Sequence, residues 1–177
     1  MLLSDEEEAV KKARFWATQA REPFPWYEHK EIGYNYRMSN VVAGIGRGQL
    51  LHLEEHLAAK ERIYRAYERG LSGLPVRMNP YLPDSRPNFW LSCMTIDPGC
   101  KVTPEAVRLA LEEENIESRP IWKPMHLQPV FRDQDFIGVG DAVGEDIFAR
   151  GLCLPSDIKM TEERQERVIA IIRGLFT

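Results

Sequence analysis

The amino-acid pattern predicts an α+β fold, with a long helix leading into a small, mostly antiparallel sheet covered by helices. Two observations carry that reading. Leu50, Leu57, Tyr64 and Leu71 recur every seven residues, with Leu53 and Tyr67 at the intermediate positions, which is the spacing of an apolar stripe on a helix. Past Gly70-Leu-Ser-Gly73 and the proline-dotted stretch from Leu74 to Pro87, short apolar and β-branched runs alternate with helix starts, as in a sheet carrying helices on one face. The same change of composition places a boundary between residues 1–72 and residues 73–177.

The elements follow in order. Ser4 predicts an N-cap, with Glu7 completing a capping box ahead of Ala9, Val10, Ala13, Phe15 and Trp16. Acids lead this helix and Lys11, Lys12 and Arg14 follow, as the helix dipole favours. Arg21-Glu-Pro-Phe-Pro-Trp-Tyr27 then breaks it, because each proline lacks an N–H and restricts the residue before it. That segment reads as an ordered aromatic loop. A single long helix is expected to run from Asn40 through the Leu50 to Leu71 stripe. Gly44 and Gly48 lie one turn apart on it, where a neighbouring backbone can approach closely. Phe89 to Asp97, Ile116 to Ile121 and Gly151 to Leu154 predict strands, Thr103-Pro-Glu a capped helix start, and Thr161-Glu-Glu the last helix, with Val168, Ile169, Ile171, Ile172, Leu175 and Phe176 on it.

Charge and composition exclude several classes. In 177 residues, 44% apolar and 28% charged side chains suit a globule with a real core. Lys plus Arg total 23 against 27 acids, a net charge of -4, so a broad basic face for nucleic acid is not expected. No apolar run approaches the roughly 18 residues of a membrane span, and Leu2 and Leu3 give way at once to acids, unlike a secretory leader. Cys93, Cys100 and Cys153 match no metal-site spacing and suit reduced thiols in a cytoplasm. Cys93 and Cys153, in apolar runs, read as buried hydrophobes.

Three segments carry candidate chemistry. In Gly33-Tyr-Asn-Tyr-Arg-Met-Ser-Asn40, Asn35 and Arg37 offer an amide and a guanidinium beside a helix start, a combination suited to an anion. Taken alone, the same residues also suit a turn former and a surface ion pair. Ser118-Arg-Pro-Ile-Trp-Lys-Pro-Met-His-Leu-Gln-Pro-Val-Phe131 sets Arg119, Lys123 and His126 among prolines and Trp122, cations and an aromatic fit for a diphosphate or a sugar, or else an ordinary structural loop. The third segment is Leu152-Cys-Leu-Pro-Ser-Asp157. A competing motif, His52-Leu-Glu-Glu-His56, satisfies the H-x-x-E-H pattern of inverted zinc peptidases through His52, Glu55 and His56. It is short, and its histidines flank the apolar stripe.

In order and spacing these three segments resemble the DegT/DnrJ/EryC1/StrS family of pyridoxal-phosphate sugar aminotransferases, over essentially the whole chain. The variant Trp-Lys-Pro-Met-His-Leu-Gln-Pro is most similar to the branch that aminates the C4 keto group of UDP-linked deoxysugars. The resemblance implies the C-terminal part of a fold-type-I aminotransferase, with residues 1–72 as a remnant of the large domain and its connecting helix, and residues 73–177 as the small C-terminal domain. It implies a homodimer with pyridoxal 5'-phosphate shared between subunits, Asn35 or Arg37 as donor to the cofactor phosphate, and Tyr34, Arg119, Lys123 and His126 at a nucleotide-sugar site, with glutamate as amino donor. The long helix is then expected to pack on the large domain, on a second subunit, or on both. Met1-Leu-Leu-Ser-Asp-Glu is similar to the family segment after the Schiff-base lysine, so that lysine is expected upstream, and this chain alone is expected to be inactive. Lys11, Lys12, Lys30, Lys60, Lys101 and Lys159 stand in polar contexts that do not depress a lysine pKa. The class alternative is a non-catalytic dimerisation or binding module of the same family.

Overall fold

Ser39, Thr103 and Thr161 each set a helix start, because their side-chain oxygens accept from the backbone N–H of Val42, Ala106 and Arg164 and so satisfy a donor that the helix leaves orphaned. The computed structural model describes residues 2–140 and 142–177, and the chain divides into two compact units, Met1–His52 and Leu53–Thr177. The division falls earlier than the change of composition at residue 72, for a reason visible in the core of the second unit.

The first unit holds α1 (Glu7–Ala17) and α2 (Asn40–Leu50). The capping box expected at Ser4 does not form. Helix α1 begins at Glu7 after Glu6, which makes no side-chain cap, and Ser4 Oγ accepts from the N–H of Glu6 instead, a local turn that competes with capping. At the other end Thr18 closes the helix, its Oγ1 donating to the carbonyl of Arg14 at 2.9 Å. Gln19 and Ala20 then take positive φ, 71° and 49°, and turn the chain back. The proline-broken loop is ordered by its aromatics: Phe24 and Trp26 stack with centroids 5.3 Å apart, and the Arg21 guanidinium lies over the Tyr27 ring.

The single helix expected from Asn40 is two. Leu51 and His52 form a turn in which the His52 N–H donates to the Gln49 carbonyl, and α3 (Leu53–Gly70) starts afterwards. Gly44, Gly46 and Gly48 weaken the first helix by about 1 kcal/mol each relative to alanine, while the stripe of α3 is held by tertiary packing.

The second unit contains α3, β1 (Val76–Met78), β2 (Ser92–Ile96), α4 (Pro104–Glu113), β3 (Arg119–Pro120), α5 (Val143–Arg150), β4 (Gly151–Leu154) and α6 (Glu162–Gly174). Its sheet has the order β1-β2-β4-β3, and each pairing is antiparallel. Along β2 burial alternates, with Ser92, Met94 and Ile96 buried and Cys93 and Thr95 less so, the period of a strand with two unlike faces. Met94, Ile96, Leu152 and Leu154 join Ile63, Tyr67 and Leu71 of the α3 end, Val107 and Leu111 of α4, and Val168 and Ile172 of α6 in one core. That is why α3 belongs to this unit. Buried polar groups are tied in: Tyr67 Oη donates to the Pro155 carbonyl at 2.8 Å and Gln165 Nε2 to that of Ile63 at 2.7 Å.

Strand β1, inside the proline-dotted stretch, and helix α5 carry too few periodic apolar residues to be read from sequence. The opposite face of the sheet is partly covered: a Cβ on Gly151 would meet Ile121 Cγ1 at 2.4 Å and the Ile147 carbonyl at 2.5 Å, so Ile121 and the end of α5 lie there. Among the described residues no helix is long and apolar enough to cross a membrane.

The two sides of α4 give a direct test. Leu111→Ala, at a fully buried position, is expected to cost about 2–5 kcal/mol in a urea melt, whereas Leu109→Ala, at an exposed one, is expected to stay within about 0.5 kcal/mol of the parent.

Candidate functional site

A close approach of two backbones presents the Tyr34 to Arg37 segment. The N–H groups of Tyr34 and Tyr36 donate to the carbonyls of Trp16 and Ala17 at 2.8 and 3.0 Å, and the Gln19 N–H donates to the Tyr34 carbonyl at 3.0 Å; Thr18 and Asn35 pair as an antiparallel bridge. Gly33 permits this, because a Cβ there would lie 2.3 Å from the Ala20 nitrogen, and Ala20 itself is fully buried. With the backbone committed to α1, the side chains of Tyr34, Asn35, Tyr36 and Arg37 are all exposed. Tyr36 and Arg37 border a depression of about 650 Å³ whose apolar wall is Leu2, Val10, Ala13 and Ala17. The helix start capped by Ser39 follows at once. An exposed guanidinium, an exposed amide, two phenols and an apolar wall are a donor set that fits a phosphorylated aromatic ring.

The second unit carries its own cavity, about 370 Å³, with Trp90, Trp122, Glu117, Arg119 and Cys153 among its walls. The indoles of Trp90 and Trp122 lie with centroids 6.0 Å apart and planes 32° from parallel. Arg119, at the start of β3, donates from Nε to Glu117 Oε1 at 2.8 Å; the pair is exposed and so weak enough to exchange for a ligand anion. Ser118 adds a hydroxyl oxygen that is buried without a hydrogen-bond partner. Lys60, placed by sequence among the surface lysines, proves to be a support of this cavity. Its ammonium donates to the carbonyls of Trp90, at 3.0 Å, and Ser156, and burial lowers its pKa.

His126 lies in the loop after β3. Its Nε2 donates to Glu145 Oε1 at 2.9 Å, and its ring stacks on Phe136 with centroids 3.8 Å apart. A carboxylate and an aromatic face thus fix the orientation of the imidazole. Lys123 is exposed on the same loop. Trp122 therefore joins Arg119 at the indole cavity, while His126 is held by the loop and α5.

The H-x-x-E-H motif does not sit on one continuous helix. His52 lies in the turn that ends the first unit, whereas Glu55 and His56 lie in the first turns of α3, and among the described residues no group of three or more metal-capable side chains gathers. Two features escaped sequence reading, the Trp90–Trp122 pair and the facing thiols of Cys93 and Cys153. Both join residues distant in sequence, and only the strand register shows them.

A sequence model described as the DegT/DnrJ/EryC1/StrS aminotransferase family matches residues 1–173. The chain is 46% identical over 179 residues to EpsN of Bacillus subtilis, named as a pyridoxal phosphate-dependent aminotransferase, covering 99% of this chain and 46% of that protein. It is 34% identical over 176 residues to a GDP-perosamine synthase of Caulobacter vibrioides, covering 97% of this chain and 46% of the synthase. Its fold is that of a DegT DnrJ EryC1 StrS aminotransferase from Brucella abortus, with a TM-score of 0.81 at 23% identity over 98% of this chain and 45% of that one. The chain thus spans about half the length of the curated relatives it matches.

Replacing Gly33 is expected to release the segment it presents. Gly33→Val should accelerate amide hydrogen exchange at Tyr34 and Tyr36 by at least tenfold, a loss of about 1.4 kcal/mol of local protection, while leaving exchange in β2 and β4 unchanged.

Proposed function

The chain belongs to the DegT/DnrJ/EryC1/StrS aminotransferase family, whose cofactor is pyridoxal phosphate, and from that membership we propose that it forms part of an enzyme that transfers an amino group to a 4-keto nucleotide sugar in glycan precursor synthesis. The observation that carries the reading is the pinned, outward-facing Tyr34 to Arg37 segment, whose exposed side chains match the polar ends of the cofactor. When bound, the cofactor supplies the electron sink for amino transfer.

In this reading Arg37 and Asn35 hold the phosphate of a cofactor seated mainly in the other subunit of a homodimer. The backbone anchorage of the Tyr34 to Tyr36 segment on α1 lowers the ordering cost at binding to that of the side chains themselves. The Schiff-base lysine is assigned to the part of the family's length that this chain does not span. Arg119 and Lys123 of the second unit face the sugar nucleotide, with Arg119 exchanging Glu117 for a phosphate oxygen and the Trp122 indole offering a stacking surface; in the first unit, Tyr34 is assigned a substrate contact of its own. His126, aligned by Glu145, contacts the sugar, and glutamate is the amino donor. Two relatives bear on the nucleotide: the branch signature favours a UDP sugar, and the synthase from Caulobacter vibrioides is named for a GDP sugar.

Helix α2 supports the dimer. Val41, Val42, Ile45 and Leu50 are exposed on it, as is Leu51 just past its end, and nothing outside the helix's own backbone lies within 4 Å of where a Cβ on Gly44, Gly46 or Gly48 would stand. In the intact enzyme this apolar helix packs on the large domain and the second subunit, in a cytoplasmic protein. The class alternative, a binding or dimerisation module without catalysis, draws on the same helix.

Co-expression with the remaining half of the family's length, taken from EpsN, tests the enzyme reading. The purified pair is expected to show a yellow cofactor band that survives dialysis and to aminate a UDP-linked 4-keto sugar from glutamate. The GDP sugar forms the second arm of the assay. Arg37→Ala with Asn35→Ala should lower cofactor affinity at least tenfold. A colourless pair, or a borohydride-trapped label on Lys123, would sink the assignment of roles. For the helix, light scattering of the chain alone should show self-association, and a clean monomer counts against the docking face.

A further inference from the structure

Cys93 and Cys153 stand directly opposite each other on β2 and β4, with their sulfurs 3.5 Å apart. The Cys93 N–H donates to Asn79 Oδ1 at 2.9 Å, and its carbonyl accepts from the Asn79 N–H at 2.8 Å. Both backbone groups of Cys93 therefore point toward the β1 side, so its pairing with Cys153 is of the non-hydrogen-bonded kind. Such pairs bring their Cα atoms to about 4.5 Å, at the near end of the span of roughly 4.4–6.8 Å that a disulfide bridges. Both side chains lie on the face opposite Met94 and Leu152, away from the main core. Cys153 also forms part of the wall of the open Trp90–Trp122 cavity, which gives a small reagent a way in.

We propose that Cys93 and Cys153 form a redox-active dithiol that low-molecular-weight disulfides oxidise to a cross-strand disulfide. The Cys93 S–H donates to Cys153 Sγ, which lowers the pKa of Cys153 while that of Cys93 is raised by the same contact and by burial. Cys153, the one of the two that lines the open cavity, is thus the thiolate that attacks. Its sulfur bonds to one sulfur of a disulfide such as glutathione disulfide, and the first glutathione leaves as a thiolate. Cys93 gives its proton to that thiolate, and its own sulfur then attacks Cys153 Sγ and displaces the second glutathione as a thiolate, which takes up the proton that Cys153 released to water on ionising. The two cysteines lose two electrons, and one glutathione disulfide becomes two thiols. The inference stands apart from the aminotransferase reading.

Cys100 is the internal control, since it lies in the loop before α4, packed against the core. The full chain is equilibrated with glutathione mixtures of rising oxidised fraction, alkylated, digested and weighed by mass spectrometry. The expected result is a fall from three alkylatable thiols to one, a linked peptide pair carrying Cys93 and Cys153, an alkylated Cys100, and full reversal by dithiothreitol. Cys93→Ser should leave glutathione trapped on Cys153, because the resolving sulfur is gone; the wild-type peptide map decides the matter if that variant fails to fold. Three alkylated thiols at every ratio, a linkage through Cys100, or a linkage that appears only in denaturant would overturn the proposal.

Discussion

The pairing of β2 with β4 is the constraint on which the second unit depends. Its register sets Leu152 beside Met94 and Leu154 beside Ser92, so one face delivers the apolar side chains that α3, α4 and α6 cover. A shift by one residue would exchange the faces. With β2 held in place, Cys153 would enter the core, and Leu152 and Leu154 would turn to the opposite face. On the other edge of β4, its pairing with β3 places Arg119 beside Cys153, and both line the cavity of the indole pair. Core and cavity are two sides of one ladder.

Much of this was legible in the residues themselves. The caps at Thr103 and Thr161 and the strands around Met94 and Leu152 follow from local chemistry, and the structure places them where that chemistry requires. The family was legible from three motifs in order. Other features were not. The continuous helix failed at Leu51 because the seven-residue stripe records burial, and only the α3 part of it, from Ala59 on, is buried in the second unit. The Ser4 box failed because a hydroxyl can satisfy a nearer N–H. Lys60 was misread as a surface residue, since nothing in its neighbours along the chain announces two carbonyls from remote loops.

The candidate site shows the same division. That Asn35 suits a turn was readable from the sequence alone, whereas the close approach of the Gln19–Ala20 backbone that Gly33 permits was not. Nor was the role of Glu145 beside His126, because the acid is supplied by α5, a short helix that the sequence reading did not predict. Rigid donors in the first unit and aromatic walls in the second come from different physics: backbone pairing in one case, strand register in the other.

Helix α2 carries a further consequence for anyone who would re-engineer this chain. Alanine at Gly44, Gly46 and Gly48 would stiffen the segment by about 1 kcal/mol per site and would meet no obstacle within 4 Å. Stability screens on the isolated polypeptide would therefore select those methyl groups, and each one would thicken a strip now bounded by hydrogen atoms alone. A variant optimised for heat resistance would then stand off from any neighbour by the width of a carbon, so thermal robustness and intimacy of assembly pull in opposite directions along this one helix.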